Sequence, residues 1–177
     1  MTSAAGYAAA ARLLDYPLDK EALLAAHAVV AAFLEGEGIA SSFAPFAVHL
    51  EGATLASLQE EYVAIFDFNP ALAPYLGHHL YGDSQKKGAY LMLLKEVFGR
   101  HGYAPAGNEL PDHLPLLLGF LAYLADDASR RQFIAESVLP GLEKFLAGFD
   151  RHDSPWKPVV EAALLLCTAD CKEVTPC

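Results

Sequence analysis

Apolar side chains recur along this chain three and four positions apart, the period of a helix with one buried face. Strict alternation, the mark of a half-buried strand, is absent. The spacing predicts an alanine-rich helix over 4–14, closed before Pro17, and a second over 19–34. Asp19 is the N-cap of the second, and Gly36 and Gly38 are its stop. A weaker helix over 41–50 is broken by Pro45. Thr54 caps the next, whose stripe is Leu55, Leu58, Tyr62, Ile65 and Phe66. A loop comes after it, through Asp67, Phe68, Asn69 and Pro70 and on from Pro74 to Asp83. Ser84 caps a helix to Arg100 with Leu91, Leu94, Val97 and Phe98 on its apolar face, and 102–107 is a turn-rich break. Asp112 caps a helix to Ala125, with Pro115 as its third residue, where the missing N–H has no intrahelical partner anyway. A helix over 129–149, kinked at Pro140, and one from Ser154-Pro155 to about Ala169 complete the set. About eight helices with short loops make an all-α, single-domain bundle over 1–177, with disorder expected from about residue 170.

Composition narrows the partners. Of 177 residues 54% are apolar and 19% charged, which suits a compact globule. The net charge of −10 argues against nucleic acid, whose phosphates need a basic face, and favours attraction to a basic peptide. No apolar run reaches the roughly 18–20 residues that span a bilayer, and residues 1–11 carry no positive charge ahead of their small residues. A cytoplasmic protein with no membrane insertion is expected. Cys167, Cys171 and Cys177 form no disulfide framework. Cys167 and Cys171 are four apart and share a helix face, yet no histidine comes at finger spacing, so free thiols are expected rather than a metal site.

The common catalytic signatures are missing: no phosphate-cradling loop, no dinucleotide fingerprint, no zinc-protease helix, no nucleophile elbow. Two polar constellations stand out. In Gly77-His78-His79-Leu80-Tyr81-Gly82-Asp83 the adjacent histidines point apart on most backbones, which makes a shared metal awkward. In Glu109-Leu110-Pro111-Asp112-His113-Leu114-Pro115 the Asp–His neighbours read as a cap and first turn rather than a catalytic dyad. Lys86 and Lys87 oppose the dipole of the helix they open, which hints at acidic groups or a partner nearby.

Four stretches, in order, carry a resemblance. They are Leu13-Leu14-Asp15-Tyr16-Pro17; Glu61-Tyr62-Val63-Ala64-Ile65-Phe66-Asp67; Leu80-Tyr81-Gly82-Asp83-Ser84-Gln85-Lys86-Lys87-Gly88; and the Glu109–Pro115 motif. Together the chain resembles the NarJ branch of the NarJ/TorD/DmsD family, the redox enzyme maturation chaperones. One departure is Lys87, where the family usually has arginine before the glycine; lysine keeps the charge and loses the bidentate fork. The resemblance implies a non-catalytic chaperone without a cofactor of its own, monomeric or weakly dimeric. It would bind the N-terminal segment of a molybdopterin enzyme's catalytic subunit, nitrate reductase first among candidates, and hold it for cofactor insertion.

A helical bundle takes such a tail in an apolar groove. The residues expected to contact it are Tyr62, Asp67, Tyr75, His79, Tyr81, Asp83 and Lys87, with Glu109, Asp112 and His113 as the polar rim. Phe66 is expected in the core. Three rival readings remain at this point: a phosphate- or nucleotide-binding module using Lys86 and Lys87, a metal enzyme using His78, His79, Asp112 and the cysteines, and a structural oligomer.

Overall fold

A computed structural model describes residues 3–39 and 43–172. Its helices are α1 (Ser3–Leu14), α2 (Lys20–Gly36), α3 (Ala44–Gly52), α4 (Leu55–Tyr62), α5 (Leu76–Tyr81), α6 (Gln85–Arg100), α7 (Leu114–Tyr123), α8 (Asp127–Phe133), α9 (Leu139–Gly148) and α10 (Lys157–Lys172). Among the described residues no strand forms, and one isolated antiparallel bridge joins Tyr75 to His113. The all-α expectation holds.

Local chemistry sets several ends at the positions expected from sequence. The Asp19 carboxylate accepts from the Glu21 N–H at 3.0 Å, and Thr54 and Ser57 cap α4 reciprocally. Other ends move. Pro45 lies in the first turn of α3, where proline costs no hydrogen bond, so it opens that helix instead of breaking it. Position 41, the expected start, lies outside the described residues. Tyr90, rather than Leu91, joins Leu94 and Phe98 on the buried face of α6. Asp126 caps α8 through the Ser129 N–H at 2.8 Å. The run through Pro140 breaks as a π turn, Ile134–Val138, ahead of the proline, which lies in the first turn of α9. The apolar stripe of α4 likewise continues through a π turn, Val63–Asp67. The last helix runs to Lys172, past the expected onset of disorder, with Asp170 2% exposed.

The core is one continuous apolar cluster. Helix α7 is apolar nearly all round and buries Leu114, Leu117, Leu118, Phe120 and Leu121, so it runs through the interior. Alanine-rich α1 lies against it, because small side chains let two helix axes approach closely. A buried polar network ties α1, α8 and α10 together. The Asp170 carboxylate accepts from Arg130 Nε at 2.7 Å and from the Tyr7 hydroxyl at 3.0 Å. Around Trp156, fully buried, pack the rings of Phe46, Tyr62 and Phe66, which places Phe66 in the core as expected.

Candidate functional site: an apolar cleft with an acidic rim

The end of α1 and the loop to α2 form one wall of an open cleft, and the segment from Tyr103 to Leu116 forms the other; its volume is about 580 Å³. Ala8, Ala11, Leu23, Pro115 and Leu116 give it an apolar lining. Asp15, Asp19, Glu109 and His113 also line it, with Arg12 as the cation. Exposed Tyr16 and Leu18, the latter 78% exposed, stand at its edge. The α1–α2 wall is pinned from behind: the Tyr62 hydroxyl donates to the Leu14 carbonyl at 3.1 Å, and Gln59 Nε2 to the Pro17 carbonyl at 2.9 Å.

The opposite wall is stitched to the segment ahead of α5. Leu76 N donates to the Asp112 carbonyl at 3.1 Å and Leu114 N to the Pro74 carbonyl at 2.8 Å, flanking the Tyr75–His113 bridge. The Tyr75 ring lies 5.1 Å from the His113 ring, and its hydroxyl donates to Glu109 Oε1 at 2.8 Å. Burial pushes the His113 imidazole below its ordinary value; Glu109, Asp15, Asp112 and Asp67 pull the other way, and burial prevails. Burial also raises the Tyr62 hydroxyl, with Asp15, Asp67, Tyr75 and Glu109 adding to it. Three exposed carboxylates, Asp15, Asp67 and Glu109, therefore act on the same small region.

The expected site residues divide. Glu109 and His113 line the cleft, Tyr75 touches both, and Asp67 adds its field. Tyr62 is 4% exposed with its hydroxyl committed to Leu14, so it holds the wall rather than facing a ligand. Asp112 is not on the rim and does not cap its own helix. The chain turns at His113, which occupies the N-cap position of α7, and Pro115 is the second helical residue. The fully buried Asp112 carboxylate instead accepts from the Gly77 N–H at 2.9 Å, capping α5 from 35 residues away. That approach needs glycine: a Cβ on Gly77 would lie 2.8 Å from Asp112 Oδ2. Burial raises the Asp112 carboxyl against the pull of Gly77 N–H and of the Lys87 charge, and Asp112 Oδ1 has no partner among the described residues.

The remaining expected residues lie elsewhere. His79 Nε2 bonds the Ala73 carbonyl at 2.7 Å and its ring packs on Phe145, 5.1 Å away. Tyr81, 5.7 Å from the Tyr90 ring, and Asp83 and Lys87 sit around the turn between α5 and α6, not in the cleft. Much of the cleft's other wall has no signal in the sequence. Asp15 lies within the Leu13–Pro17 motif, whose pattern marks only a helix end, and the alanines of α1 carry no chemical signal at all.

Among the described residues no group of three or more His, Cys, Asp or Glu side chains is placed to hold a metal. Cys167 is buried and burial pushes its thiol up; Cys171 is half-buried, and Cys177 lies outside the described residues. No helix among the described residues is long and apolar enough to cross a membrane.

Comparison with known proteins decides the family. The family model for the nitrate reductase delta subunit matches residues 20–161. The chain belongs to that family. Similar proteins include NarJ of Bacillus subtilis, named as a probable nitrate reductase molybdenum cofactor assembly chaperone, 31% identical over 61% of this chain and 58% of that protein. NarW of Escherichia coli, named in the same way, is 28% identical over 68% of this chain and 52% of that protein. The chain thus spans about half the length of the curated relatives it matches. A crystal structure from Archaeoglobus fulgidus, described as that of a redox enzyme maturation protein, shares the fold at a TM-score of 0.64 and 18% identity, over 98% of this chain and 94% of that one. The resemblance to the NarJ/TorD type of the family is upheld.

Proposed function

We propose that this protein is a cytoplasmic maturation chaperone, not a catalyst. It binds the N-terminal segment of the catalytic subunit of a molybdopterin oxidoreductase, of the nitrate reductase kind, and holds it for molybdenum cofactor insertion and assembly. Acting as a monomer or weak dimer, it contributes no cofactor of its own. The observation that carries this reading is the cleft: a lining in which apolar side chains and the carboxylates Asp15, Asp19 and Glu109 alternate, in a chain whose relatives are named assembly chaperones. Such a groove suits an amphipathic segment with a basic residue among apolar ones. Exposed Tyr16 and Leu18 at its edge add apolar surface to the groove. A tagged copy drawn from anaerobically grown host cells should co-purify a large molybdopterin subunit, identified by mass spectrometry. Absence of that subunit from the eluate, with the subunit demonstrably present in the lysate, would overturn the assignment.

A further inference from the structure

Glu109 is an exposed carboxylate held as if it were buried. Its Oε1 accepts from the Tyr75 hydroxyl at 2.8 Å and from the Leu110 N–H at 3.0 Å, while Oε2 has no partner among the described residues. Tyr75 is itself fixed. Its backbone forms the bridge to His113, its ring packs on the His113 ring, and its N–H donates to the Ala73 carbonyl at 2.9 Å. An exposed glutamate normally samples many rotamers and loses that freedom when it pairs. Here the loss is already met in the folded chain, and the free oxygen belongs to a residue that lines the cleft. Asp15 and Asp67 reinforce the negative field at the same place.

Building on the cleft as the client site, we propose that Glu109 is the receptor for one basic side chain of the bound segment, and that Tyr75 is the positioning residue that holds it ready. The ligand class is an apolar peptide carrying an arginine or lysine, its apolar residues over Ala8, Ala11 and Leu116. The cation donates to Oε2 in a charge-assisted hydrogen bond, and no bond in the protein has to break to receive it. Tyr75 never touches the cation.

The test is a double-mutant cycle read by calorimetric titration, using a synthetic peptide of the N-terminal segment of a nitrate reductase catalytic subunit. Tyr75→Phe keeps the ring on His113 and removes only the hydroxyl; it should weaken binding about three- to tenfold, the range expected for one side chain left to be ordered. Glu109→Gln should weaken it more and flatten its salt dependence. In the Glu109→Gln background Tyr75→Phe should then change nothing. The same insensitivity is expected for a peptide whose basic side chains are replaced by glutamine, and not for one merely acetylated at its amino terminus. Melting curves establish that each variant is folded, and Glu109→Asp, too short to reach Tyr75, gives an independent copy of the Tyr75→Phe effect. Equal affinity of Tyr75→Phe and the parent, or a loss that persists without Glu109, would overturn the clamp. Sensitivity to acetylation alone would overturn the side-chain receptor. A peptide that fails to bind the parent protein at all would instead overturn the cleft as client site.

Discussion

Replacing Asp170 with alanine is expected to destabilise the protein by about 3–5 kcal/mol, the cost of breaking a buried ion pair by removing one partner. Asp170 is 2% exposed and Arg130 5%. The carboxylate takes Arg130 Nε at 2.7 Å, Arg130 Nη2 at 3.3 Å and the Tyr7 hydroxyl at 3.0 Å, and Arg131 Nε stands 3.5 Å from Oδ1. Without it the guanidinium stays buried with, among the described residues, Asp127, 63% exposed, and the Leu124 carbonyl as its remaining partners, and the Tyr7 hydroxyl loses its carboxylate acceptor. Desolvation of the stranded charge dominates, not the loss of the attraction itself. Because the network joins α1 to α8 and α10, the damage reaches the α1 wall of the cleft. Chemical denaturation followed by circular dichroism should show the loss, with a fall in melting temperature on the order of 10 °C for a chain of this size. Asp170→Leu combined with Arg130→Met, which removes both charges and keeps the volume, should recover most of it. A cost below about 1 kcal/mol for Asp170→Ala would show that water reaches the pair.

Asp112→Ala is expected to cost about 1–3 kcal/mol, and Asp112→Asn distinctly less. The carboxylate is fully buried and caps α5 through the Gly77 N–H, so alanine strands that donor. Asparagine keeps the acceptor and discards a desolvated charge whose second oxygen has no partner among the described residues. The pH dependence separates the two. Burial raises the folded carboxyl above its unfolded value of 3.8, so the folded state binds the proton more tightly. Acidification through the folded value therefore adds stability relative to the ionised form, until the unfolded carboxyl protonates as well. Asp112→Asn lacks that gain, so its stability relative to the parent should fall as pH falls through that window. Peptide affinity of the folded Asp112→Asn variant should stay close to the parent, because the side chain faces α5 and not the cleft. A large affinity loss with unchanged melting would return Asp112 to the rim.

These two residues also mark where the sequence stops being legible. Helices with local causes are plain in it: Asp19 and Thr54 cap the α2 and α4 segments through N–H groups two and three residues ahead, and the apolar stripes need only a period. Helix α5 has the sequence of a loop because its cap arrives from Asp112, 35 residues on, and the same fact makes Asp112 look like the cap of its own helix. The π turns at 63–67 and 134–138 have no sequence signature. Asp170 falls at the expected edge of disorder because nothing near it in the chain announces Tyr7 or Arg130 as partners. For the site, the family motif points to Glu109 and His113 and the loop aromatics to Tyr75. The α1 wall is defined only by tertiary contact. Histidine and tyrosine in one motif, such as His79 and Tyr81, carry the same letters whether they face a partner or Phe145 and Tyr90.

The most direct measurement is titration of the same catalytic-subunit peptide into the parent protein and into two variants of the cleft's exposed edge, Leu18→Ser and Ala8→Gln. Both positions are exposed, so the fold is expected to hold while one variant removes apolar contact and the other fills the groove. Binding by the parent, weakened at least about tenfold in each variant with melting unchanged, is the expected result. Binding that is indifferent to both variants would place the client elsewhere on the surface and contradict the cleft as its site.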